Sequence, residues 1–125
     1  MTNALLVGAG GFLGAISRYA IVYWVGRLLQ TPSFPWGVLA VNVVGSLVIG
    51  VLAGISEARN TFSEEVRLFL FLGLLGGFTT FSSITNDTMA LIRSESYLQA
   101  AANVVLSLAL GLVAVAIGYI IGKGS

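Results

Sequence analysis

The chain has 125 residues and a net charge of +1, and only 9% of it is charged, against about 25% in a soluble average. With 57% hydrophobic residues and a mean hydropathy of +0.97, the composition suits lipid rather than water, and so small a positive charge does not favour nucleic acid. No cysteine or histidine is present, which excludes thiol nucleophiles, disulfides, the usual zinc clusters and the commonest general base.

Four apolar stretches have about the 20-residue length a helix needs to cross a hydrocarbon core of about 30 Å. They cover residues 4–25, 36–55, 66–91 and 98–121. The connectors "RLLQTPSFP", "SEARNTFSEE" and "RSESY" hold most of the charge and both prolines, and leave no room for a second domain. The expectation is one all-α transmembrane domain over residues 1–125. "MTNALL" lacks the basic start of a secretory signal, so the first span is expected to be retained.

The first span contains G-x-G-G-x-x-G at Gly8, Gly10, Gly11 and Gly14, the outline of a dinucleotide-binding turn. That turn requires alternating strands and helices and an acidic residue about 20 positions later. The corresponding "RLLQTPSFPWGV" has no Asp or Glu. The spacing reads better as a G-x-x-x-G helix face at Gly10 and Gly14, repeated at Gly50 with Gly54 and at Gly118 with Gly122. Arg18 lies well inside the same span, where a charge costs at least about 3 kcal/mol. Either its stem snorkels to the interface or its charge stands in an aqueous vestibule that draws anions in.

The second span carries Asn42 and Ser46, one helical turn apart. The third is oily up to Leu75, meets Gly76 and Gly77, and then turns polar through Thr79, Thr80, Ser82, Ser83, Thr85, Asn86 and Asp87. Such a segment is either a helix broken near the glycine pair, freeing carbonyls for a cation, or a kinked continuous helix whose glycines serve packing. If it is helical after the break, Thr80, Ser83 and Asp87 share a face flanked by Phe78 and Phe81, whose ring edges are partly positive. The fourth span repeats the four-residue interval with Asn103, Ser107 and Gly111. Hydroxyls in such helices commonly bond their own backbone, whereas an asparagine carboxamide needs several partners.

Four spans place both termini and the second connector on one side, with Arg59, Arg67 and Lys123; the other side has Arg27 and Arg93. So slight a bias is compatible with one orientation, or with insertion both ways and an antiparallel assembly.

"GGFLGAISRY", "FPWGVLAVNVVGSLVIG" and "GLLGGFTTFSS" together resemble the Fluc (CrcB-like) fluoride channels, small four-span proteins of bacteria and archaea. The resemblance covers nearly the whole chain. It implies a multi-pass protein of the inner (plasma) membrane that forms an antiparallel, dual-topology homodimer and expels fluoride passively through two pores. It assigns Asn42, Phe81, Ser83, Ile84, Asn103 and Ser107 to the fluoride pore and Arg18 to the vestibule. It also implies that main-chain carbonyls of Gly76 and Thr79, from both subunits, enclose a structural Na+ at the dimer centre.

Asp87 stands where a carboxylate is usual in that family. Ile84 replaces the second phenylalanine of its aromatic box, Val38 a threonine, Asn103 a tyrosine and Gly111 a serine of some members. These departures keep in view a non-conducting or heterodimer-forming subunit paired with a paralogue; another reading is that Asn103 supplies the missing donor. A small multidrug or cation exporter is the remaining alternative. That chemistry needs a membrane carboxylate, typically in the first span, where this chain has Arg18.

Overall fold

The computed structural model describes residues 2–29, 34–60 and 62–124. Part of the first connector, residues 30–33, and position 61 in the second lie outside the described residues. The described residues form helices α1 (Thr2–Leu29), α2 (Trp36–Arg59), α3 (Glu64–Arg67), a π-helical stretch Leu68–Leu75, α4 (Gly76–Phe78), α5 (Phe81–Arg93) and α6 (Tyr97–Gly124), and no strand. Taken as Thr2–Leu29, Trp36–Arg59, Glu64–Arg93 and Tyr97–Gly124, they make four helices long and apolar enough to cross a membrane.

Local sequence explains the ends. Arg27, Arg59, Arg93 and Lys123 stand in the last turns of α1, α2, α5 and α6, where a cation complements the partial negative charge of the unpaired carbonyls. Asn60 closes α2 in the left-handed conformation, φ 50°, and its amide bonds the Ser56 carbonyl at 2.9 Å. Ser63 caps α3 by accepting from the Val66 amide at 3.2 Å, and Glu64 and Glu65 follow in the first turn.

The helices pair through glycines. On α1, a Cβ at Gly10 would lie 2.7 Å from the Leu74 amide nitrogen, and one at Gly14 2.8 Å from that of Phe78. From the facing side, a Cβ at Gly73 would lie 2.9 Å from the Val7 carbonyl oxygen, and one at Gly77 2.7 Å from that of Gly11. The same construction joins α2 to α6: Gly50 faces Val115 and Tyr119, Gly54 faces Tyr119 and Lys123, and Gly118 faces Leu47 and Val51. In both seams residue numbers rise together, so α1 runs parallel to the third span and α2 parallel to α6. Gly37 against Val22 joins α1 to α2 in the antiparallel sense.

The third span is broken two residues beyond the glycine pair, because Gly76 and Gly77 are themselves helical. The extended residues are Thr79 (φ −104°, ψ 147°) and Thr80 (φ −151°, ψ 129°). Branching at Cβ restricts χ1 and favours this backbone, so the threonines supply the interruption while Gly77 supplies close approach to α1. Before the break, Leu68–Leu75 is wound as π-helix, a geometry that shifts side-chain register relative to the turns on either side.

Gly118→Val forces a branched side chain into the α2 backbone and is expected to lower stability by at least about 2 kcal/mol. Gly8 has nothing within 4 Å of a built Cβ, so Gly8→Ala should raise stability by about 0.5–1 kcal/mol by helix propensity alone. Unfolding of the purified protein in detergent, followed by circular dichroism, measures both.

Candidate functional site

A cavity of about 300 Å³ opens where α2, the broken third span and α6 meet. Its wall includes Asn42 and Ser46 of α2, Thr79 and Thr80 of the break, Phe81 and Ile84 of α5 and Ser107 of α6. Asn42 and Ser46 share a helix face, and between them Gly45 omits a side chain where the break approaches α2. A Cβ at Gly45 would collide with the Thr79 methyl and lie 3.1 Å from Cδ2 of the buried Phe78. Sequence reasoning missed Gly45; the signal available was its position one turn after Asn42, on the same face.

Two polar atoms in this wall stand apart from the others. Asn42 Nδ2 and Ser107 Oγ are buried and have no hydrogen-bond partner among the described residues. Neighbouring hydroxyls are satisfied locally: Thr79 Oγ1 donates to the Leu75 carbonyl at 3.0 Å, Thr85 Oγ1 to the Ser82 carbonyl at 3.0 Å and Thr88 Oγ1 to the Ile84 carbonyl at 2.7 Å. Thr80 Oγ1 and Ser82 Oγ share a bond of 2.8 Å. An unpaired buried polar group costs about 1–3 kcal/mol, so two on one cavity mark a place built to donate to something else.

A second cavity of about 360 Å³ lies between α5 and α6. It is lined mainly by apolar groups, including Met89, Ile92, Val104 and Leu108. Phe81, Ile84 and Ser107 border both cavities and form the partition between them. Phe81 opens α5 and is 76% exposed, so one face of its ring has no cover within a single chain.

Ser83 is half-buried and borders neither cavity; one turn before Asp87, it lies on a different face of α5 from Phe81, Ile84 and Thr88. Thr80 is extended, so it does not continue a helical face with Ser83 and Asp87. Asn103 is 1% exposed and borders neither cavity; its Nδ2 donates to Thr88 Oγ1 at 2.9 Å and points to the Ile84 carbonyl at 3.5 Å. Its amide is therefore engaged within the protein.

Asp87 lies away from the Asn42 cavity, beside Phe34 and Pro35 at the start of α2, and one of its carboxylate oxygens is buried without a partner among the described residues. Arg18 is half-buried on α1, with Nε buried and unpartnered among the described residues. The break leaves the Gly76 and Gly77 carbonyls without the amides that a continuous helix would supply, whereas the Leu75 carbonyl accepts from the Thr79 amide at 2.9 Å.

The model of the family described as CrcB-like protein, Camphor Resistance (CrcB), matches residues 5–119. The chain belongs to the CrcB-like family. It is 48% identical over 123 residues to the Fluoride-specific ion channel FluC of Parabacteroides distasonis, covering 98% of this chain and 94% of that protein. It is 43% identical over 123 residues to FluC of Agrobacterium fabrum, covering 98% of each. To FluC 1 of Methanosarcina acetivorans it is 40% identical over 120 residues, covering 96% of this chain and 90% of that one. In this CrcB-like chain the motif residues Asn42 and Phe81 meet on one cavity.

Ser107→Ala removes a buried hydroxyl that bonds nothing. It is expected to leave stability unchanged or raise it by about 1 kcal/mol, in contrast to an ordinary polar deletion. Thermal unfolding in detergent, beside Thr79→Val as the control that loses a bonded hydroxyl, checks this.

Proposed function

We propose that this CrcB-like chain is a fluoride-selective ion channel, a multi-pass membrane protein and not an enzyme, through which F⁻ leaves the cell passively. The observation that carries the reading is the pair of unpartnered donors, Asn42 Nδ2 and Ser107 Oγ, on one cavity within the membrane-spanning part of the chain. Fluoride is small and strongly hydrated, so a path must replace lost water with proton donors, each strong enough to admit the ion and weak enough to release it. The carboxamide of Asn42 and the hydroxyl of Ser107 are such donors, and the edge of the Phe81 ring adds a weaker positive surface. Chloride is larger and less strongly hydrated, so a narrow path favours the smaller ion.

A single chain does not make that path narrow. A hollow of about 300 Å³ has room for on the order of ten waters, too many to strip an ion of its shell. The open face of Phe81 calls for a second surface. We therefore take the working unit to be an antiparallel, dual-topology homodimer with two pores, supported by the near-balance of Arg and Lys between the two sides. In such a pair the half-buried Arg18 would stand in the vestibule and raise the local concentration of anions.

The break also fits a structural Na+. The Gly76 carbonyl, released from its helix, and that of Thr79, between two helices, are hard oxygen donors suited to such an ion. Two oxygens form only part of a coordination shell, so a second copy would complete it at the dimer centre. The ion would supply a fixed positive charge between the subunits, and the two carbonyls of each chain would hold it.

The exporter reading has little support, because Asp87, the carboxylate it would need, stands beside Phe34 and Pro35 rather than on the Asn42 cavity. Protein purified alone into fluoride-loaded liposomes is expected to release fluoride, followed with a fluoride electrode. Silence relieved only by a co-purified paralogue would identify a heterodimer subunit, and proton-coupled uptake of a lipophilic cation would identify an exporter. Asn42→Asp puts like charge in the path and should reduce efflux by at least about tenfold; unchanged efflux would remove Asn42 from the pore. Ile84→Phe, which restores a second ring at the partition, should maintain or raise efflux.

A further inference from the structure

We infer that Asn103 and Thr88 form a staple between α6 and α5 that holds Ile84 in the partition between the two cavities. Asn103 is thereby a positioning residue whose amide is spent inside the protein and not on the ion. The inference rests on the channel reading for its consequence, though not for its geometry.

Three bonds define the staple. Thr88 Oγ1 donates its one proton to the Ile84 carbonyl at 2.7 Å, which leaves its lone pairs facing outward from α5. Asn103 Nδ2 donates to that same oxygen at 2.9 Å and lies 3.5 Å from the Ile84 carbonyl. The hydroxyl is thus oriented by one partner and accepts from the other, a relay that ends on the backbone of Ile84. Asn103 and Val41 are the largest fully buried side chains among the described residues, so the amide competes with no water.

α5 needs such a tie more than the other spans. It begins after two extended residues, so the helix upstream does not set its rotation, and no side chain caps its first turn. It contains no fully buried residue, and no glycine seam of the kind that joins α1 to the third span or α2 to α6. Packing alone therefore fixes its register weakly, whereas a hydrogen bond in an apolar surrounding is directional. Ile84 is one turn before Thr88 and carries the carbonyl on which the relay ends. Loss of the relay frees the segment whose side chain separates the cavity with the unpaired donors from the apolar one.

The test compares Thr88→Val, Thr88→Ser, Asn103→Leu and the double variant Thr88→Val with Asn103→Leu, each reconstituted as the full chain. Hydrogen exchange of the α5 amides is read beside fluoride efflux. Thr88→Val and Asn103→Leu are each expected to lower α5 protection by about three- to tenfold, the range of an interhelical hydrogen bond in a membrane protein. The double variant should lose no more than either alone, and Thr88→Ser, which keeps the hydroxyl, should match the parent. Efflux should fall in the same order, with protection of α2 unchanged.

Parent-like exchange and efflux in Thr88→Val, together with loss of efflux in Asn103→Leu, would overturn the proposal and make Asn103 a donor to the ion. Additive losses in the double variant would overturn it as well. If Asn103→Leu does not insert, the contrast between Thr88→Val and Thr88→Ser still decides. If the parent conducts no fluoride, the channel reading fails, while the exchange cycle still reports on the staple.

Discussion

Backbone contact between helices is the constraint on which this structure depends. In lipid, apolar side chains gain little by leaving one oily surrounding for another, so helices associate where their surfaces fit closely and dispersion and polar contacts accumulate. Gly10 and Gly14 meet Gly73 and Gly77, and Gly50 and Gly54 meet Gly118 and Gly122, with main chain facing main chain. Because both seams are parallel, a chain that weaves through the membrane is folded into two pairs of alternate spans, which meet around Gly45, midway along α2 and opposite the break. The cavity lies at that meeting place.

Polarity is distributed within this frame in three ways. Some hydroxyls, such as those of Thr79 and Thr85, return to their own helix and disappear as donors. The Asn103 amide crosses to α5 and joins two helices. Asn42 and Ser107 do neither, and are left with unspent donors at the edge of the same hollow. Residue types alone would place all of these in one polar track; only their bonds separate groups that hold the protein together from groups whose donors are left unspent. On the channel reading proposed above, these unsatisfied donors are the functional feature, and local hydrogen-bonding rules are broken where an ion would pass.

A second division concerns what one chain can complete. Arg18 and Asp87, charged groups well inside their spans, each keep a buried atom without a partner among the described residues and lie apart from the Asn42 cavity. Phe81 presents an uncovered ring, and the carbonyls of the break have lost their helical amides. Each is an incomplete interaction in the same polypeptide, and each would gain from a symmetry-related surface. These uncompleted groups are the basis on which a paired conducting unit is proposed above.

The sequence by itself determined the four spans, the membrane as solvent, the small-residue faces and the family, because hydrophobic length, glycine spacing and ordered motifs are properties of linear order. It also marked the third span as broken or kinked near its glycine pair and Asn42 as a carboxamide in need of partners, whereas for the Ser107 hydroxyl a bond to its own backbone was the commoner expectation. Tertiary structure alone decided which glycine face meets which, that the break falls on Thr79 and Thr80 while Gly77 packs, and that Gly45 makes room for it. It also turned Ser83 away from the cavity and gave the amide of Asn103 to Thr88. The reason is physical: a side chain's hydrogen-bonding capacity is set by its chemistry, but whether that capacity is already used depends on which residue, 15 positions away in sequence, stands 2.9 Å away in space.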